Sequence, residues 1–336
     1  MGLRFPADLD AWRRWQQAQH RLRAVKARLR PSPTPTLQLA TRGDAPAEVL
    51  VVVESPSASS RLALFEPVAH LTAPTAVLAP FDPSRFLGQG WSVCPISPGQ
   101  LPGAVTHGVR VLFVGDFLPL GAMVRQTLPR ARLVVTQHGL LTPVAPPLPA
   151  GAHLLAWSQT DADFWRSGRS DISSTVVGSQ LLFQAAAVPA DSVSRFVEPV
   201  FLGQLHGAEL RRSALTRISL DFCRRTPATY RPHPSETDKL SRLTHEAWRR
   251  LGVEIDDSGT PLAEVSRPVV GIYSTGVLEA AARGIPAWVH HPRPPAWLQE
   301  FWDRYAMSPW GGPPTASPDL PAIKPSRVVA DWLSST

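Results

Sequence analysis

From residue 36 onward, short unbroken runs of Val, Leu and Ile alternate with longer stretches in which apolar residues recur every three or four positions. The runs predict strands at 48–54, 76–79, 109–114, 132–136, 154–158 and 175–177, with a helix over 60–70. A strand that is apolar at every position, rather than at alternate ones, is one buried on both faces, as in a parallel sheet layered between helices. The pattern restarts after residue 195. Strands are expected at 200–202, 229–231, 253–255, 269–273 and 287–290, and helices at 208–223, 237–251, 275–283 and 295–306. Leu240, Leu243, Ala247 and Leu251 fall on one face of the 237–251 helix, the spacing of an amphipathic helix.

The first 30 residues follow a different rule. Leu9, Trp12, Trp15, Leu22, Val25 and Leu29 recur near helical spacing between arginines, with Asp8 or Asp10 placed to cap, so one helix is expected over 7–30. The segment Pro31-Ser32-Pro33-Thr34-Pro35 ends it. Two readings stay open: a helix packed on the first domain, or a basic amphipathic helix resting on an anionic membrane. The fold class that results is α/β: two Rossmann-like, doubly wound domains facing across a cleft, with an N-terminal helix. The expected divisions are 1–35 (basic helix and Pro-rich linker), 36–195 (first Rossmann-like domain), 196–325 (second Rossmann-like domain) and 326–336, a last helix crossing back onto the first domain.

Composition narrows the classes. At 336 residues the chain has room for two cores, and its 36 prolines, mostly between apolar runs, point to rigid loops rather than a disordered tail. The net charge of +7 comes almost wholly from arginine, for there are three lysines and no asparagine, a bias that fits a GC-rich bacterial genome. No aromatic-flanked basic patch, zinc-finger or homeodomain pattern accompanies the charge, so nucleic acid is not the expected partner. Cys94 and Cys223 lie far apart and form no disulfide framework, the first 30 residues hold no apolar signal core, and no stretch reaches the roughly 20 apolar residues of a membrane span. A cytoplasmic protein is expected, with peripheral contact to the inner face of the membrane if the first helix serves as an anchor.

Ligands of doubly wound sheets bind at the carboxyl ends of the strands, and three segments there carry chemistry. Thr136-Gln137-His138-Gly139 follows a strand and offers His138 as a general base. Tyr230-Arg231-Pro232-His233-Pro234 fixes its backbone with two prolines and places Arg231 and His233 two apart, so that both would face one side of an extended segment and suit a phosphate. It also leads into a helix, with Ser235 or Glu236 as the cap. Gly271-Ile272-Tyr273-Ser274-Thr275-Gly276-Val277-Leu278-Glu279 ends a strand and opens a helix, whose unpaired amides and positive dipole end favour an anion beside the Ser274 and Thr275 hydroxyls. Glu279, one turn in, would reach ribose or sugar hydroxyls. Each segment also has a plainer reading: a hydrogen-bonded structural histidine for the first, a rigid turn into the next helix for the second, and N-capping by Ser274 or Thr275 for the third. Glu54, in the loop Glu54-Ser55-Pro56-Ser57, and Asp116 end two further strands, and either acid is an alternative to His138 as the base. His290 and His291 end the last strand, and His107, His153, His206 and His245 read as structural or surface residues. No GxGxxG, P-loop, HExxH or GxSxG motif occurs, and no His/Asp cluster has metal-ligand spacing, so no cofactor and no metal are expected.

Taken in order, Gln137-His138-Gly139, the Arg231-to-Pro234 segment and Ser274-Thr275 with Glu279-Ala280 resemble the HG, RPHP and Ser/Thr-rich segments of GT-B glycosyltransferases. The resemblance is to CDP-glycerol glycerophosphotransferases and bacterial sialyl- and polysialyltransferases, and it covers mainly residues 132–142 and 199–291. It implies Arg231, His233, Ser274, Thr275 and Gly276 on the donor phosphate, Glu279 on the ribose or sugar, and His138 as base or acceptor contact. The partners it implies are a nucleotide-sugar or CDP-alditol donor and a glycan or lipid-linked acceptor of the cell envelope. The acidic motif that supplies the base in sialyltransferases is absent here. The non-hydrolysing UDP-N-acetylglucosamine 2-epimerases share the layout, but their paired phosphate-loop glycines are reduced to Gly276. A UDP-sugar epimerase and a non-catalytic nucleotide- or nucleic-acid-binding protein remain the alternatives.

Overall fold

The computed structural model describes residues 2–19, 36–188, 190 and 198–335. Leu22, Val25 and Leu29 of the expected first helix, and the proline segment after it, lie outside the described residues. The chain divides into two compact units, 1–181 with 321–336, and 182–320. The division falls at Leu182, ahead of the one expected at residue 195.

The first unit is built on an eight-stranded sheet: β1 (Leu37–Thr41), β2 (Ala47–Val52), β3 (Thr75–Ala79), β4 (Ser92–Ile96), β5 (Val105–Phe113), β6 (Arg132–Thr136), β7 (His153–Ala156) and β8 (Ser173–Val176), in the order β4-β1-β3-β2-β5-β6-β7-β8. The six strands from β3 to β8 in that order run parallel, and β1 pairs antiparallel with both β3 and β4. The sheet is therefore mixed at one edge, where a wholly parallel one was expected. β4 gave little signal because its residues are mostly exposed and include Pro95, which belongs on an edge strand.

The unbroken apolar runs are explained by two-sided burial, since successive residues of a strand point to opposite faces. Val49, Val51, Val77 and Leu112 pack on one face with Leu64 and Val68 of helix α2 (58–68) and with Val329, Ala330 and Leu333 of a C-terminal helix. Leu50, Val52, Leu78 and Val111 pack on the other with Leu120 and Val124 of α3 (Pro119–Thr127) and with Ala162 and Trp165 of α4 (Gln159–Arg166). Each such buried side chain contributes about 1.5–3 kcal/mol. Part of α2, Arg61–Phe65, is a π-helical turn, a form that often marks a functional surface. Helix α1 (Leu9–Gln19) begins with the Asp8 carboxylate accepting the Ala11 amide at 2.7 Å, and it packs on this unit through buried Trp12, whose indole donates to the Val144 carbonyl at 2.8 Å. The described part of the first helix is thus a packed one.

Strand order reverses between β2 and β5, because the chain steps from β2 out to β3 and then returns across β2 to β5. Glu54 and Asp116 follow these two strands. Glu54 Oε1 accepts the Gly121 amide at 2.9 Å, at the start of α3. That approach needs glycine: a Cβ on Gly121 would lie 2.2 Å from the Gly115 carbonyl oxygen.

The second unit holds a four-stranded, wholly parallel sheet of β9 (Val200–Leu202), β10 (Thr229–Arg231), β11 (Val269–Gly271) and β12 (Ala287–Val289), ordered β10-β9-β11-β12. Its helices, after α5 (Gln180–Ala186), are α6 (Arg212–Arg225), α7 (Lys239–Arg250), α8 (Thr275–Ala282) and α9 (Ala296–Arg304). The C-terminal helix is α10 (Pro325–Ser335). Both units are Rossmann-like α/β layers. Three local expectations are corrected. Residues 253–255 contribute a single bridge, Ile255 to Tyr230, and not a strand. Helix α6 starts at Arg212 rather than 208. The leucine face of α7 is turned outward, and Ser241, His245 and Trp248 are buried instead.

Gly121→Ala is expected to destabilise the first unit by about 1–3 kcal/mol or more, because the methyl group meets backbone that cannot rotate away. Urea titration of the variant against the wild type measures this, and an unchanged midpoint would show that the Gly115–Gly121 approach is not tight.

Candidate functional site

In the first unit, the turn after β6 is fixed by one side chain. Buried Gln137 accepts the Trp157 amide at 2.9 Å through Oε1 and donates through Nε2 to the Gly139 carbonyl at 3.1 Å and to Asp161 at 2.9 Å. The Trp157 indole returns a bond to the Gln137 carbonyl at 3.0 Å. His138, so held, lines a cavity of about 20 Å³ with Ser59, Trp157, Gly178, Gln180 and Ser326 among its walls. That is room for about one water molecule. His138 Nδ1 is buried there with no hydrogen-bond partner, and Ser326 Oγ is in the same position. Burial lowers the pKa of His138 below the usual histidine value, with the Thr136 backbone pulling the other way. The ring is neutral at pH 7, the state a general base requires.

The two alternative acids do not line that cavity. Glu54 is half-buried, and burial raises its pKa against the lowering effect of the Gly121 and Leu120 amides. Asp116, 2% exposed, forms an ion pair with Arg125, and its carbonyl accepts from Arg13 at 3.1 Å. Both sit at the strand reversal, but as the acceptor at a helix start and as half of an ion pair.

In the second unit, a buried carboxylate organises the strand ends. Glu236 accepts the Leu205 amide at 2.9 Å, the Tyr230 hydroxyl at 3.0 Å and His245 Nε2 at 3.1 Å. Burial alone would raise its pKa, but His245, the Leu205 amide and Tyr230 outweigh it and lower the value. It does not cap the next helix. Asp238 does, accepting the Leu240 and Ser241 amides at 3.1 Å each, because the chain needs Glu236 inside.

Arg231 and His233 do not share one face. Arg231 pairs with Asp256 at 2.6 Å and donates to the Thr260 carbonyl. His233 is exposed, and its ring stacks on His206 with centroids 3.9 Å apart and planes 21° from parallel. Its Nδ1 accepts the Ser235 amide at 3.1 Å, so the neutral ring carries its proton on Nε2. Desolvation lowers the His233 pKa, and the Glu236 carboxylate opposes this. The Arg-x-His spacing fails as a guide because the partners of each side chain, Asp256 and Thr260 for one and His206 for the other, lie elsewhere in the sequence.

At the end of β11, Ser274 caps α8, its Oγ accepting the Gly276 amide at 3.2 Å. A Cβ on Gly276 would lie 2.7 Å from methyl groups of Leu202 and Leu262, so a larger residue there would displace those two side chains. Thr275 opens the helix. Gln204, at the end of β9, accepts the Ile272 and Tyr273 amides at 3.2 and 3.0 Å through Oε1, so it closes the point where strand order reverses in this sheet. Glu279 is largely buried, which raises its pKa to about 7, with Arg283 lowering it in part. His290 lies against Phe222 at 4.8 Å, and burial and His291 lower its pKa.

Three contributors escaped the sequence reading. His206 stacks on His233, Gln204 ties two strand ends, and Glu236 is the buried hub. Only Glu236 left a signal, as an acid next to a motif already singled out.

No protein-family model matches this chain, and no curated protein matches it. Twelve solved chains do, among them one from the crystal structure of a GtfA/B complex, 11% identical over 73% of this chain and 56% of that chain, with a TM-score of 0.32. The present chain therefore spans little more than half the length of that neighbour.

Glu236→Ala leaves three donors unpaired in a buried place and is expected to cost about 3–5 kcal/mol in denaturant unfolding. A loss under about 1 kcal/mol would remove it as the hub. Glu279 gives a pH signature. Its folded pKa of about 7 lies above the ordinary value of 4.5, so the native state holds its proton between those limits. Native stability should then fall as pH rises from about 4.5 to 7, by about 2–3 kcal/mol from this residue. Thermal melts of Glu279→Gln at pH 5 and pH 8 should show that slope reduced; an identical slope in both proteins would refute the assignment.

Proposed function

We propose that the chain is a metal-independent transferase of the GT-B glycosyltransferase type. It moves a glycosyl or glycerophosphoryl-type group from a CMP-, CDP- or UDP-activated donor to an acceptor hydroxyl. The observation that supports this most is the row of hydrogen-bond donors along the carboxyl edge of the second sheet. His233 Nε2–H comes after β10, and the Ser274–Thr275 start of α8 comes after β11. A diphosphate leaving group gains negative charge as its bond breaks, and donors set in place beforehand stabilise it. Removing one such donor costs about 3 kcal/mol in comparable electrostatic sites. Arg231, paired with Asp256, steadies the loop that carries His233. Glu279, poised near pH 7, exchanges hydrogen bonds with ribose or sugar hydroxyls. The neutral His138 accepts the acceptor's hydroxyl proton. The acceptor class, a cell-envelope glycan or lipid-linked hydroxyl, follows from the motif resemblance.

Thermal shift with CMP, CDP, UDP and GDP tests the donor half. One pyrimidine nucleotide at 100 times its Kd should stabilise the wild type by about 2.7 kcal/mol and leave His233→Ala unshifted. His138→Ala should keep that shift and lose about 10²–10⁴-fold in turnover. A chain stabilised by none of the four, or a His233→Ala that responds like the wild type, would overturn the reading.

A further inference from the structure

Helix α7 is attached by the wrong side for its sequence. Its leucine stripe, Leu240, Leu243 and Leu251, is 55%, 51% and 50% exposed, and Ala247 between them is exposed as well. The inward side is polar and aromatic: Ser241 accepts from Arg212 at 2.8 Å, His245 meets Glu236, and Trp248 lies edge-on to Tyr230 with centroids 4.8 Å apart. Leu240, Leu243, Ala247 and Leu251, spaced by three, four and four residues, form one continuous ridge. Nothing in the unit's own packing uses it.

The charges beside the ridge indicate what does. Lys239, Arg242 and Arg250 are exposed and make no ion pair with a described residue, while Arg249 is committed to Asp257. By helical geometry Lys239 and Arg250 stand next to the leucines, and Glu246 is the one acid on that flank. A convex, single-helix ridge of leucines edged by unpaired cations is the form that enters the boundary of an anionic bilayer, with leucines among the acyl chains and cations at the headgroup phosphates. A protein partner would have to bring a groove of opposite shape and an acidic rim.

We infer that α7 is a membrane-contacting helix, and that the second unit rests on an anionic lipid surface through Leu240, Leu243 and Leu251. This does not depend on the transferase reading. The contact belongs to a different element from the basic N-terminal helix, whose described part is packed through Trp12.

Flotation of the full chain with vesicles tests it. Wild type should float with phosphatidylcholine vesicles containing phosphatidylglycerol and stay behind with phosphatidylcholine alone. Leu240→Ser/Leu243→Ser should bind at least tenfold more weakly. Both positions are exposed, so the variant should keep the wild-type melting temperature, and Leu251→Ser alone should show a smaller loss in the same direction. Lys239→Gln/Arg250→Gln should also weaken binding to the phosphatidylglycerol-containing vesicles. The inference falls if the wild type does not float, or if the serine variants float as well as it does. It also falls if the wild type self-associates in the absence of lipid and the same serine changes abolish that, because the ridge is then a subunit interface.

Discussion

Everything at the carboxyl edge of the second sheet depends on one buried carboxylate. An ionised Glu inside a protein is tolerable only if each oxygen is met by donors. Glu236 gathers one from the backbone of the β9 loop, one from the β10 strand and one from α7. Three elements that are distant in sequence are thereby held to one point. The positions of His206 and His233 follow, since one sits just after Leu205 and the other three residues before Glu236. Burial and the neighbouring carboxylate push the Tyr230 pKa well up, so its hydroxyl keeps its proton and stays a donor to Glu236.

The first unit solves the same problem with a neutral group. Gln137 has both an acceptor and a donor end, and it spends them on the β7 loop, on its own turn and on α4. A histidine next to a turn so fixed keeps one orientation without needing a partner for its own Nδ1. The contrast is chemical. A carboxylate hub leaves a negative charge near His233, which opposes the desolvation of that ring. At His138 burial is the leading cause of the lowered pKa, and what opposes it is a hydrogen bond to the Thr136 backbone rather than a charge.

The α/β class, the restart after the first half and ten of the twelve strands among the described residues were legible because buried parallel strands write themselves as continuous Val and Leu runs. The antiparallel edge was not, because β4 is short, mostly exposed and carries Pro95. Site positions were legible as places, at strand ends, but not as contacts. Arg231 and Asp256 are separated by a whole helix in sequence, and no local spacing announces their pair. The stacking of His206 on His233 joins two strand-end loops, and it depends on register between β9 and β10, which a single sequence does not print.

The orientation of α7 shows why periodicity alone misled there. Rotating the helix to bury its leucines would cover side chains that are now about half exposed, a gain of about 1 kcal/mol for each of the three. The same rotation would take His245 away from Glu236. Losing a hydrogen bond to a buried carboxylate costs about 1.5–3 kcal/mol, and exposing Trp248, now buried edge-on to Tyr230, costs about 1.5–3 kcal/mol besides. The polar side therefore wins the inward position by a modest margin, and it wins because Glu236 is already committed to the strands. The leucines are left outside by that choice, not by any failure of amphipathic design. A helix with two usable faces satisfies the fold with one and keeps the other for whatever surface the protein meets.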